Sequence, residues 1–294
     1  MAQETLVYQL APRLASATKA RLAEAGFEFR PAPHAFFSVK GEGVVATFYE
    51  SGKLVVQGEG ARMFAARFVE GGDAGPPAPS AKAVDPTVPM VGSDECGKGD
   101  YFGPLVVCAV RLAPEQRKAL AAGTIRDSKT LSDEACMRLG AVLRGKVEHS
   151  IARLDPPEYN ATWGRLRNVN EVLADLHARA IRELAEPKDH VLIDKFADEG
   201  LLRRRLGDLD IELEQRVRAE SEITVAAASI IAREEFLTAL RQLSEAAAVD
   251  LHKGAGEPVD VSARVYVALH GRDALGKVAK LHFKNTQKLG LGPR

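Results

Sequence analysis

The stretch Val91-Gly92-Ser93-Asp94-Glu95-Cys96-Gly97-Lys98-Gly99-Asp100-Tyr101-Phe102-Gly103-Pro104 concentrates the chemistry of this chain. An apolar run, Val88-Pro89-Met90-Val91, leads into two adjacent carboxylates, and a glycine-rich loop follows at once. Carboxylate oxygens are hard donors of the kind that hold Mg²⁺ or Mn²⁺. Glycine lets a backbone N–H approach a sugar or phosphate closely, because no Cβ intervenes. The combination points to metal-assisted chemistry on a phosphodiester. Most Asp-Glu pairs are solvated surface charge; what sets this one apart is its place at a strand end followed by Gly-x-Gly. A dinucleotide-binding loop would put its acid about 20 residues after the glycines, not before them. A P-loop would continue Gly-Lys-Ser/Thr, whereas Lys98 is followed by Gly99 and Asp100.

Composition sets the frame for that site. Hydrophobic residues are 46% and charged residues 27% of 294, the balance of a folded globular protein rather than a disordered one. No run approaches the roughly 18 apolar residues of a membrane helix, and no secretory signal is evident. Cys96, Cys108 and Cys136 show no paired spacing, so free thiols in a reducing, cytoplasmic setting are expected. With no Cys-x-x-Cys and seven scattered histidines, a zinc site is not indicated. Cys96 lacks a nearby histidine in sequence to serve as base. Lys and Arg total 40, as do Asp and Glu, which leaves a nucleic-acid partner open because a local basic patch suffices. The segment from Lys277 onward carries Lys277, Lys280, Lys284, Lys288 and Arg294 with no acid, either a solvated end or a phosphate-tracking surface.

Residues 71–88, rich in Gly, Pro and small side chains without apolar periodicity, read as a linker between a piece at 1–70 and one at 89–294. In the first piece, residues 12–25 have helical spacing, residues 27–30, 35–40, 44–49 and 53–57 read as strands, and residues 61–69 as a closing helix. Such a module leaves one sheet face open, where Phe36, Phe37, Phe48 and Tyr49 are either core or base-stacking residues, core being the better reading of each. The second piece alternates strands (90–94, 105–112, 146–154, 190–194, 211–217) with helices (115–122, 133–143, 171–184, 223–243), the pattern of an α/β fold. The helix at 223–243 opens with small residues, Ala226-Ala227-Ala228-Ser229, that let it lie close against a sheet.

The run His190-Val191-Leu192-Ile193-Asp194 repeats the first design, apolar residues ending in an acid. Ends of neighbouring strands are where sites collect in open sheets, so Asp194 is a candidate neighbour of Asp94. Glu220 and Glu222, just before the Ala-rich helix, are candidates for a fourth carboxylate. Acids gathered in this way repel unless cations neutralise them, and two divalent ions roughly 3.5–4 Å apart would answer that need.

Gly92 through Pro104 resembles the opening motif of the type 2 ribonucleases H, and most closely the ribonuclease HIII branch. Asp127-Ser128-Lys129-Thr130-Leu131 resembles that family's Asp-Ser-Lys-x-Leu segment, and Leu192-Ile193-Asp194-Lys195-Phe196 its third-acid strand. Ala219-Glu220-Ser221 with Val225 to Arg233 resembles its fourth-acid region, and Lys280-Leu281-His282-Phe283-Lys284-Asn285-Thr286 the ribonuclease HIII C-terminal signature. Five such motifs in order over most of residues 92–286 are specific together.

The resemblance implies a ribonuclease H-like nuclease domain with a mixed central sheet and flanking helices, preceded by a small TATA-binding-protein-like α/β domain that binds substrate. It implies that Asp94, Glu95, Asp194 and Glu220 are catalytic and hold two ions, Mg²⁺ or Mn²⁺. The spacing from Glu220 to the alanine run is one residue shorter than the family pattern, so Glu222 stands as the alternative. Gly97, Lys98 and Gly99 match the loop that reads the RNA strand. Ser128, Lys129, Lys284, Asn285 and Thr286 are implied nucleic-acid contacts, and His282 is either structural or a proton shuttle. The implied activity is cleavage of RNA in RNA–DNA hybrids by a monomer with no membrane partner, leaving 5′-phosphate and 3′-hydroxyl ends. Excision of single ribonucleotides from DNA, as in ribonuclease HII, and non-catalytic nucleic-acid binding are the rivals.

Overall fold

A computed structural model describes residues 4–69, 85–122, 131–217 and 219–290 of the chain. It divides into two compact units, residues 1–83 and 84–294. Of the segment read as a linker, residues 71–84 lie outside the described residues, as do Ser128 and Lys129.

The first unit contains β1 (Glu4–Gln9), α1 (Ala15–Glu24), β2 (Glu28–Arg30), β3 (Ala35–Gly41), β4 (Val44–Tyr49), β5 (Lys53–Gly58) and α2 (Ala61–Phe68). Its antiparallel sheet runs β1-β5-β4-β3-β2. The sequence reading lacked β1, an edge strand that pairs only with β5, from Glu4↔Gly58 to Gln9↔Lys53. Phe37 and Phe48 are buried against each other with ring centroids 5.7 Å apart, whereas Phe36 stays 40% exposed beside Phe48.

The second unit contains β6 (Met90–Cys96), β7 (Leu105–Leu112), α3 (Pro114–Ala121), α4 (Asp133–Arg144), β8 (Glu148–Leu154), α5 (Pro156–Leu166), α6 (Val169–Arg182), β9 (His190–Asp194), α7 (Glu199–Leu206), β10 (Glu212–Arg216), α8 (Ile223–Ala247), α9 (Glu257–His270) and α10 (Lys284–Lys288). The sheet order β10-β9-β6-β7-β8 is mixed: β6 pairs antiparallel with β7 and parallel with β9. Helices cover both faces, which is the expected architecture. α5, α7 and α9 are additions to the sequence reading.

Alternation along β6 assigns its residues to the two faces. Val91 belongs to the core built with α6, and Ser93 reaches His177 of that helix. Gly92 faces the other way, onto α8. A Cβ at Gly92 would stand 2.5 Å from Thr224 C and Val225 N, so only glycine lets the first turn of α8 press on the strand. The small residues Ala226, Ala227 and Ala228 continue that close packing and are buried. No helix of the described residues is long and apolar enough to cross a membrane.

Candidate active site

The strand register brings the first and third acids together. β6 and β9 run in step from Met90↔His190 to Ser93↔Ile193. The next residues in that register are Asp94 and Asp194, at neighbouring ends of two parallel strands whose separation is about 4.8 Å. Both follow the face that α8 covers: Met90, Leu192, Ala219 and Val225 form one small buried cluster there. The Ala219 amide donates to Asp194 Oδ1 at 3.0 Å, which ties the turn carrying Glu220 to the end of β9. Ser229 of α8 donates to Asp94. The N-terminal end of α8, the positive end of its dipole, therefore opens beside these carboxylates.

Burial pushes the Asp94 carboxyl up to about 7, with the charges of Glu95 and Asp194 adding to the rise. Glu95 is held differently, because alternation sends it to the α6 face. Burial acts to raise its pKa, but His177 and Lys98 outweigh that and leave it below the usual range. His177 Nε2 lies 3.4 Å from Glu95 Oε2, and Lys98 Nζ lies 3.5 Å from Oε1. His177 is completely buried, with Nδ1 2.7 Å from Ser93 Oγ, and its ring stacks on Phe196 at 4.8 Å. Lys98 sits over the same Phe196 ring. Ser93 Oγ donates to Cys108 O at 3.0 Å, so the hydrogen shared with His177 comes from Nδ1.

His177 was missed by the sequence reading. It lies in the apolar stripe of α6 among Val172, Leu173, Leu176 and Ala180, where a histidine reads as core. Groups that orient a metal ligand typically set affinity by 10–100-fold. His177→Phe keeps the stacking surface but loses both ring nitrogens. Titration calorimetry should show Mn²⁺ binding weakened by about tenfold in that variant; unchanged affinity would mean that Glu95 needs no support from α6.

Among the described residues, no three His, Cys, Asp or Glu side chains are disposed around one point as a metal ion requires. The donor chemistry still fits a hard divalent cation. The acids are oxygen donors, and a cation beside them would offset both the burial of Asp94 and the lesser repulsion from Glu95 and Asp194. Glu222 has a cation of its own, Arg117 Nε at 3.3 Å, whereas Glu220 sits in the turn bonded to Asp194.

The glycine-rich loop leaves β6 at Gly97, whose φ of +92° and whose virtual Cβ, 2.2 Å from Pro104 O, admit glycine only. Gly99 is exposed with open space around it. The C-terminal signature divides. Lys284 is exposed, as a phosphate contact must be. Asn285 and Thr286 are 3% and 5% exposed and bond inward, to Ala255 O and Asp260 and to Tyr101 Oη. Both side chains thus serve as internal ties in this structure. Lys280 of the basic segment is also fully buried. His282 stacks on Trp163 at 4.0 Å, and burial together with Lys280 lowers its pKa to about 4. Burial pushes the Cys96 thiol up to about 12, which favours the unreactive thiol over the thiolate.

Known proteins resemble both units of the chain. The family model described as Ribonuclease HII matches residues 91–286, and one described as a domain of unknown function (DUF3378) matches residues 5–76. Ribonuclease HIII of Protochlamydia amoebophila is 36% identical over 270 residues, covering 90% of this chain and 89% of that one. Ribonuclease HIII of Chlamydia caviae is 36% identical, with 96% of each chain covered. The crystal structure of Bst-RNase HIII in complex with Mn²⁺ superposes with a TM-score of 0.66 at 36% identity, over 99% of this chain and all of that one.

Proposed function

This chain belongs to the ribonuclease HIII family of type 2 ribonucleases H, and on that premise we propose that Asp94, Glu95, Asp194 and Glu220 are its catalytic, metal-holding carboxylates. The enzyme is a ribonuclease H that hydrolyses the RNA strand of RNA–DNA hybrids. The observation that carries the residue assignment is the register of β6 with β9, which sets Asp94 beside Asp194 under the N-terminus of α8. The tie from Ala219 to Asp194, which fastens the turn carrying Glu220 to the end of β9, favours Glu220 over Glu222 as the fourth acid.

Mg²⁺ or Mn²⁺ suits this oxygen-rich site, and the related Bst enzyme crystallises with Mn²⁺. Divalent ions bound there supply the acidity that activates water towards phosphorus and stabilises the departing 3′-oxygen. The protein's own part is to hold the carboxylates. Asp94 and Asp194 lie at adjoining strand ends, while His177 and Lys98 fix the two oxygens of Glu95. Gly97, Lys98 and Gly99 meet the RNA strand, where a 2′-hydroxyl distinguishes it from DNA. Lys284, and Ser128 with Lys129, contact phosphates. The first unit, with its small antiparallel sheet and exposed Phe36, adds affinity for the hybrid. The reading is of a cytoplasmic monomer, in keeping with three free thiols.

The deciding experiment presents two labelled duplexes with Mg²⁺ or Mn²⁺, one a continuous RNA–DNA hybrid and one a DNA duplex bearing a single ribonucleotide. Efficient cutting of the hybrid alone, leaving 5′-phosphate and 3′-hydroxyl ends, is expected. Equal cutting of both would move the specificity to the ribonuclease HII type, and cutting of neither would leave a binding protein.

A further inference from the structure

Beneath the glycine-rich loop lies a buried cation that the cleavage chemistry does not use. Lys280 is 0% exposed, and its Nζ donates to Gly103 O at 2.6 Å and Asp100 O at 2.8 Å, with Phe102 O at 3.4 Å. An ammonium group has three donors and no acceptor, so three carbonyls match it in number. Among the described residues it has no carboxylate partner: the Asp100 side chain is turned to the Gly254 amide, 2.6 Å away. Burying a charge without a counter-ion is costly, and a methionine would fill the same space without that cost. Burial draws the Lys280 pKa down to about 7, the nearby Asp100 opposing the drop.

The backbone repeats the attachment. Lys280 N donates to Tyr101 O at 2.8 Å and Gly103 N to Val278 O at 3.0 Å, and Phe102 bridges Ala279. Residues 100–103 are thus bound on their inner side to residues 278–280, while Gly99 projects into open space on the outer side.

We propose that Lys280 is a positioning residue for recognition of the RNA strand: by drawing the carbonyls of residues 100–103 onto one ammonium, it fixes where the turn Gly97-Lys98-Gly99 meets the ribose. The proposal rests on the hybrid-cleaving function above. It removes Lys280 from the phosphate-tracking surface and gives it a role in selecting RNA over DNA.

Lys280→Met preserves side-chain volume and removes every donor. In this variant KM for the hybrid should rise roughly tenfold while kcat stays within about threefold. The preference for hybrid over DNA duplex, read from Kd values without divalent metal, should shrink by a similar factor. An unchanged KM, a fall in kcat at constant KM, or equal losses for hybrid and DNA duplex would each overturn the assignment. Should Lys280→Met fail to fold, hydrogen exchange on the wild-type protein decides: amides of residues 101–103 protected as strongly as β6 support the clasp, and exchange at the rate of an exposed loop refutes it. A wild-type protein that cut no hybrid would refute the functional premise instead, and the exchange result would still judge the clasp.

Discussion

Asp94→Asn is expected to lower cleavage of an RNA–DNA hybrid by about 10³-fold or more, because groups that act as a unit lose most of their effect when one is removed. Hybrid binding should stay within about threefold, since the loop and the exposed lysines are untouched. The same substitution should stabilise the metal-free protein. Asp94 carries a pKa of about 7, driven first by burial and then by Glu95 and Asp194, whereas an unfolded aspartate titrates near about 3.9. A carboxyl raised in this way favours the fold when protonated. Its contribution is complete below about pH 4 and is lost as pH climbs through about 7. Asparagine cannot ionise, so at pH 8 the metal-free variant should exceed the wild type by on the order of 2–4 kcal/mol. Thermal melts at pH 5 and pH 8 in the presence of a chelator measure this. A variant that melted below the wild type at pH 8, or that retained cleavage, would remove Asp94 from the centre of the site.

Gly92→Ala should be a severely damaging methyl addition in the nuclease unit. The new Cβ would meet backbone atoms of Thr224 and Val225 at 2.5 Å, and backbone at the start of a helix cannot swing aside as a side-chain tip can. Overpacking of this kind costs about 3 kcal/mol, which corresponds to a fall in melting temperature of roughly 6–12 °C for a unit of this size. Relief would come from sliding α8 off β6, which would carry Ser229 away from Asp94. Activity should therefore fall even at temperatures where the variant is fully folded. A melt within about 2 °C of wild type would show that the strand and helix adjust more freely than their contact suggests.

The strands that carry the acids were legible because each is an apolar run with a clear end. Residues 105–112 and 190–194 were placed as they stand in the structure, and β6 was only extended, through Glu95 to Cys96. Local sequence could not supply adjacency. Asp94 and Asp194 are neighbours only because β9 joins the outer edge of β6 in parallel register, a pairing between segments far apart in the chain. α5 and α9 were overlooked although both begin with proline in the first turn, a usable start signal. β1 was missed because its pattern, Glu4-Thr5-Leu6-Val7-Tyr8-Gln9, is short and half polar, as an edge strand can be. Lys280 was taken for a solvent-facing residue and His177 was overlooked, for opposite reasons. A lysine in a basic segment suggests solvent, and a histidine in an apolar stripe suggests inert core, yet both are buried groups aimed at functional elements.

The position of β6 in the middle of its sheet has a consequence for how the enzyme is made. As the chain leaves the ribosome, β6 and β7 can pair at once over the short connection at 97–104, and β8 can join β7 once α3 and α4 between them have been made. The other edge of β6 must wait for β9, and non-local pairings of this kind form late. A nascent chain that has reached β8 already carries Asp94 and Glu95 but neither Asp194 nor Glu220, and the loop after β6 stays unclasped until Lys280 has been synthesised. A chain that ends before Glu220 therefore lacks part of the proposed carboxylate set, a consequence of strand order alone.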